Sequence, residues 1–113
     1  MLREVRKYLY DALQACEDLT AFLQGKSFDD YLSERLLQSG AERQLMIIGE
    51  ALNQADKINP DISDRISSFR QIVNLRNVIV HGYASIENET IWGILQNDLP
   101  DLHEQLKRLL GEN

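Results

Sequence analysis

The stretch "FRQIVNLRNVIVHGY", residues 69–83, predicts an α-helix, because its apolar residues recur at intervals of three and four positions. On a wheel of about 100° per residue, these residues form two apolar flanks on one side of the helix. A polar stripe lies on the other side and consists of Arg70, Asn74, Asn77 and His81. Gly82 predicts the end of the helix, since glycine commonly follows the last helical turn. The apolar flanks should therefore pack against other helices.

Arg76 is a charged residue that projects between the two apolar flanks of this helix. A buried guanidinium without a partner is costly, so we expect Arg76 to be paired or to line a cleft. Glu50 is the candidate partner, because it stands next to the apolar pair Ile47 and Ile48 on another long predicted helix.

His81 follows Arg76 by five residues, and on an ideal helix the two side chains diverge by about 140°. Either the length of the arginine and the helix end at Gly82 bring the two groups together, or a second copy of the chain completes the site. The second arrangement is favoured, so we expect a homodimer. Asn77 lies four residues before His81, close enough for its amide to orient the imidazole.

The rest of the chain also has the periodicity of helices. A first helix should end near Gly25, and a second should begin at Ser27 or Ser33. Gly49 within the second suggests close backbone approach to a neighbouring helix. Pro100 should kink or split the last helix. Ser67 or Ser68 can cap the helix that contains Arg76.

The sequence predicts an all-α fold, a four-helix up-and-down bundle in a single domain, residues 1–113, with its last helix kinked near Pro100.

Composition limits the possible functions. The net charge of −6 argues against broad, non-specific binding of nucleic acid, yet residues 65–86 contain three arginines and no Asp or Glu. Cys16 has no partner for a disulfide, which favours a reducing, cytoplasmic location. Its place on the apolar stripe of the first helix favours packing over catalysis. No apolar run approaches membrane-spanning length, so no membrane contact is expected.

Arg76, His81 and Tyr83 resemble the R-x-x-x-x-H-x-Y motif of HEPN-domain ribonucleases. The likeness is strongest to the HepT toxins, which are encoded beside a minimal nucleotidyltransferase antitoxin of the MntA type. The segments "RQLMIIGEAL", residues 43–52, and "IWGILQNDLP", residues 91–100, resemble the second and last helices of that family. The resemblance implies a HEPN four-helix bundle that homodimerises and sets two motifs around a shared cleft.

The resemblance also implies metal-independent cleavage of RNA without a cofactor. His81 would move a proton to or from the ribose 2′-hydroxyl or the leaving oxygen, because an imidazole titrates near neutral pH. Arg76 would hold the scissile phosphate, with Asn77 and Glu50 as auxiliary residues. Tyr83 matches the position to which the antitoxin attaches adenylate units from ATP. An anionic adduct two residues from His81 would block the cleft, which makes Tyr83 a regulatory residue.

Two alternatives remain open. A HEPN bundle could serve as a non-catalytic accessory or nucleotide-binding module that partners a nucleotidyltransferase, and the net charge of −6 favours this reading. The complete set of Arg76, Asn77, His81 and Tyr83 counts against it, because a scaffold needs none of them there. A DNA-binding regulator is a poor fit, since no basic recognition helix stands out.

Overall fold

A computed structural model of the chain describes residues 1–82 and 87–111. All regular secondary structure in these residues is helical, so the predicted all-α class is confirmed. In chain order the elements are α1 (Arg3–Leu23), α2 (Phe28–Ser33), α3 (Arg35–Ile58), α4 (Asp61–Arg65), α5 (Phe69–His81), α6 (Asn88–Gly93), a π-helical segment (Ile94–Asp98) and α7 (Leu99–Leu110).

The long helices pack side by side around one apolar core. Helix α1 contacts both α3 and α7, and α3 contacts α5 on its other side. The apolar stripes meet between them, where Leu9, Leu45 and Leu102 are fully buried. Helix α3 therefore lies between α1 and α5, and residues on its outer face can contribute to a surface shared with both.

Local hydrogen bonds determine where α2 begins. Ser27 and Asp30 form the predicted capping box of α2: the Ser27 N–H donates to Oδ2 of Asp30 (2.9 Å) and the Asp30 N–H to Oγ of Ser27 (3.1 Å). Helix α3 begins at Arg35 rather than at Ser33.

The predicted side-chain cap of α5 is wrong, although the helix begins where expected. Ser68 precedes Phe69, but its hydroxyl is buried and has no hydrogen-bond partner among the described residues. The preceding turn is held instead from α7. The N–H of Ser67 donates to Oε1 of Gln105 (3.2 Å), and Nε2 of Gln105 donates to Oγ of Ser67 (3.0 Å).

The last helix is not split at Pro100, which corrects one of the two expected outcomes. The backbone is right-handed helical at both Asp98 and Leu99, immediately before the proline. The N–H of Leu99 donates to the carbonyl of Ile94, five residues earlier, which is a π-type hydrogen bond. Since proline has no N–H and its ring crowds the preceding turn, this wider turn allows the helix to continue through it.

Within the described residues, no helix is both long enough and apolar enough to cross a membrane.

Candidate functional site

The predicted pairing of Arg76 with Glu50 is confirmed. Nη2 of Arg76 on α5 forms an ion pair with Oε2 of Glu50 on α3. Nη1 of Arg76 donates to Oδ1 of the adjacent Asn77 (2.8 Å). On the other side, Oε1 of Glu50 accepts from Nε2 of Gln54 (2.9 Å). These four side chains form a continuous arrangement, which we call the arginine network.

The arginine network orients a guanidinium that is largely withdrawn from solvent. The side chain of Arg76 is 22% exposed and that of Glu50 is 42% exposed. Nε of Arg76 is buried and has no hydrogen-bond partner among the described residues. Because the side chain of Glu50 is only partly buried, this ion pair adds only modestly to stability. Its main consequence is geometric: with two nitrogens held by separate partners, the plane of the guanidinium is fixed.

Gly49 allows α3 and α5 to approach closely at Arg76. A Cβ at Gly49 would meet the Cβ of Arg76 and lie 3.1 Å from the carbonyl oxygen of Ile72. Real Cβ atoms do not fit between these groups without a shift of α5. The predicted close approach at Gly49 is therefore confirmed, and the neighbouring helix is the one that carries Arg76.

Arg76 and Glu50 of the arginine network line an open cleft formed by α1, α3 and α5. The volume of the cleft is about 450 Å³, in the range of pockets that bind small molecules. Its lining residues are Tyr8, Asp11, Arg43, Met46, Ile47, Glu50, Ala51, Arg76 and Val80. Arg76 thus meets both expectations derived from its position: it is paired, and it lines a cleft.

His81 is the last residue of α5 and is exposed. Gly82 ends the helix as predicted, with φ of 61° and with its N–H donating to the carbonyl of Val78 (2.8 Å). The cleft lining reaches Val80, the neighbour of His81, but does not include His81 itself. The structure therefore joins Arg76, Asn77 and Glu50 by direct contacts and places His81 at the end of the same helix. Tyr83 lies outside the described residues.

Three residues of this region are not among the site residues predicted from the sequence. Gln54 follows Glu50 by four residues, a spacing that places both on one face of a helix and could have indicated their contact. Arg43 precedes Glu50 by seven residues, a spacing that again places both on the same face of the helix. Tyr8 comes from α1, and no local spacing relates it to the others.

Cys16 is buried in the core, as predicted. Burial, with a smaller contribution from the charge of Glu17, raises the pKa of the Cys16 thiol to about 12. The thiol is therefore protonated near neutral pH and is not a nucleophile. Within residues 1–82 and 87–111, no three His, Cys, Asp or Glu side chains are grouped so that they could hold a metal ion.

Comparison with known proteins relates this chain to one family. Residues 12–109 match the family model described as "Ribonuclease HepT-like". The chain is 30% identical over 120 residues to "Putative RNase MJ0127" of Methanocaldococcus jannaschii, with 98% of this chain and 94% of that protein covered. It is 29% identical over 109 residues to "Putative RNase TTE0752" of Caldanaerobacter subterraneus subsp. tengcongensis, with 96% of each chain covered.

A third relative is "Probable ribonuclease HepT" of Thermococcus cleftensis, which is 27% identical over 113 residues, with 96% of this chain and 98% of that protein covered. No solved structure matches the chain. Because the family model spans most of its length, the protein belongs to the HepT-like ribonuclease family.

Proposed function

We propose that the protein is a metal-independent endoribonuclease, acting as the toxin of a toxin–antitoxin pair, with Arg76 and His81 as its catalytic residues. The observation that carries the proposal is the guanidinium of Arg76, which is oriented by Glu50 and Asn77 at an open cleft. His81 stands at the end of the same helix, and the relatives of the chain are named ribonucleases.

In the proposed reaction, the 2′-oxygen of a ribose attacks the adjacent phosphorus, and the bond from phosphorus to the 5′-oxygen breaks. The 2′-hydroxyl must lose a proton and the leaving 5′-oxygen must gain one; His81 carries out one of these two transfers, and a water molecule carries out the other. Arg76 contacts the phosphate oxygens and offsets the negative charge that develops on them. The products are a 2′,3′-cyclic phosphate and a 5′-hydroxyl end. In the proposed reaction neither a metal ion nor a cofactor takes part.

The proposed assembly is a homodimeric HEPN bundle in the cytoplasm, composed of one helical domain, residues 1–113, with a last helix that bends near Pro100. A cognate nucleotidyltransferase antitoxin of the MntA type would transfer adenylate from ATP to Tyr83. Because the adduct is bulky and anionic, it would occupy the cleft beside His81 and repel the phosphates of RNA.

Incubation of total cellular RNA with the purified protein in excess EDTA tests this function. We expect discrete fragments with 2′,3′-cyclic phosphate ends from the wild type, and intact RNA from Arg76→Ala and His81→Ala. His103→Ala is the matched control, since it removes the other histidine of the chain, and it should cleave as the wild type does. Cleavage by both the Arg76 and the His81 variants would contradict the assignment. An intact mass of the wild type identifies protein that is already modified at Tyr83.

The second candidate is a non-catalytic accessory or nucleotide-binding module that partners a nucleotidyltransferase. The net charge of −6 favours it, because an acidic protein binds RNA weakly without local compensation. Such a module would bind its ligand without turnover and would leave RNA intact in every lane of the same experiment, including one with unmodified wild-type protein.

A further inference from the structure

The cleft contains a second arginine that the arginine network does not use. Arg43 is exposed on α3, two helical turns and about 10 Å along the axis from Glu50. Within the described residues, no carboxylate lies in ion-pair distance of Arg43. The two acidic residues of the cleft are both occupied, since Asp11 pairs with Lys7 (3.4 Å) and Glu50 pairs with Arg76. Arg43 is therefore a cation of the cleft whose guanidinium has no carboxylate partner among the described residues.

The wall beside Arg43 is suited to a flat apolar group. Tyr8 is partly buried and packs against the core, which limits the conformational freedom that binding would remove. It lines the cleft together with Met46 and Ile47. An aromatic ring and apolar side chains next to a cation are the combination on which proteins stack bases of single-stranded nucleic acid.

We infer that Arg43 and Tyr8 form an RNA-binding subsite beside Arg76, in which Arg43 contacts a phosphate next to the scissile one and Tyr8 stacks on an unpaired base. The inference rests on the proposed function and adds to it a substrate class, single-stranded RNA. A paired base is already stacked within its helix, so it cannot stack on Tyr8 without being displaced.

Fluorescence anisotropy with a labelled ten-nucleotide RNA tests the subsite, with His81→Ala in every protein to prevent cleavage. Arg43→Ala should weaken binding and should reduce the slope of log Kd against log salt concentration by about 0.7, the loss of one phosphate contact to a single strand. Arg35→Ala is the matched control, because it removes an exposed arginine on the same helix outside the cleft. It should leave both values unchanged.

Tyr8 is tested with the same RNA. Tyr8→Leu should weaken binding by about 5- to 150-fold, the equivalent of one stacked base, whereas Tyr8→Phe should bind as the parent protein does. Tyr10→Leu is the control, since Tyr10 is exposed on α1 and does not line the cleft. A fully paired RNA of the same length should bind more weakly than the single strand, and should not distinguish Tyr8→Leu from its parent.

The outcomes separate the subsite from the function. If the wild type cleaves RNA through His81 and Arg43→Ala binds as Arg35→Ala does, the subsite is wrong and the function stands. If binding depends on Arg43 but the unmodified wild type does not cleave, the function falls and the subsite stands. Absence of binding by the parent overturns the subsite, and the cleavage assay alone then decides the function. A changed oligomeric mass of Arg43→Ala would assign Arg43 to a contact between copies and overturn the subsite. If Tyr8→Leu fails to fold, the salt slope of Arg43→Ala decides alone.

Discussion

Gly49 sets the separation of α3 and α5 at the point where Arg76 crosses between them. A side chain there would meet Arg76 and the carbonyl of Ile72, so the absence of a Cβ is a packing requirement. Glycine within a helix is intrinsically unfavourable by about 1 kcal/mol relative to alanine. The close approach that glycine permits lets Glu50 reach the guanidinium.

Gly49→Ala should destabilise the protein, because the added methyl group must displace α5. We expect a loss of about 1–3 kcal/mol in the free energy of unfolding, typical of overpacking. The matched control is Gly93→Ala in α6, where an added Cβ has no atom within 4 Å and the backbone is helical. That change should be neutral or stabilising by up to about 1 kcal/mol. Urea denaturation of both variants gives the comparison, and equal stabilities would show that α3 and α5 adjust freely.

The partner of Arg76 could be predicted from the sequence, but the details of its contacts could not. A charge on an apolar helix flank requires compensation, and Glu50 was a carboxylate beside an apolar segment on another long predicted helix. Asn77 is expected to orient His81; the structure adds a contact that spacing does not indicate, in which the amide oxygen of Asn77 accepts from Arg76. Which hydrogen bond an amide forms depends on side-chain rotamers and on the distance between helices, and spacing along one helix determines neither.

One face of helix α3 carries polar residues of the cleft and of the arginine network. Arg43, Glu50 and Gln54 recur there at intervals of seven and four residues, and the apolar side of the same helix packs into the core. Gln54 donates a hydrogen bond to Glu50 and does not line the cleft. Its effect on Arg76 must therefore pass through Glu50, which makes it a positioning residue rather than a catalytic one in the proposed reaction.

Gln54→Ala should lower RNA cleavage without abolishing it, because Glu50 loses the hydrogen bond that restrains it. We expect kcat/KM to fall by about 2- to 10-fold, the equivalent of one ordinary hydrogen bond. The effect should vanish when Glu50 is already alanine, since the two changes then act on one network. Gln44→Ala, on the same helix outside the cleft, should cleave as the wild type does. Additive losses in the Gln54/Glu50 double variant would contradict transmission through Glu50.

The extents of the helices were largely predictable, because periodicity and the residues at helix ends are local properties. The end of α5 at Gly82 and the capping box at Ser27 follow from such signals. The π-helical segment before Pro100 could not be predicted from such signals. The sequence shows that proline disturbs a helix, but not whether the helix breaks or widens. The turn before α5 also depends on Gln105, which comes from a distant part of the chain.

At the scale of the whole molecule, the C-terminal half of α5 leaves part of its apolar surface exposed to solvent. Val80 is 45% exposed and Val78 is half-buried, although both belong to the apolar pattern of the helix. Arg76 lines the cleft, and His81 lies beyond it at the end of the same helix. This separation supports the proposed homodimer, in which Arg76 of one protomer and His81 of the other would act on the same phosphate. Contacts between copies leave no periodic signal that identifies the partner, so the sequence could only suggest this arrangement.

Purified heterodimers distinguish a shared site from two separate ones, because a two-fold dimer contains two equivalent sites. One heterodimer combines an Arg76→Ala protomer with a His81→Ala protomer, isolated through two different affinity tags. If each site takes Arg76 from one protomer and His81 from the other, one site keeps both groups, and we expect about half of the wild-type cleavage rate. A heterodimer of wild type with the Arg76→Ala/His81→Ala double variant should then be inactive, since every site lacks one group. The opposite pair of results would place Arg76 and His81 of each site in the same protomer, and a monomeric mass for the wild type would remove the shared site altogether.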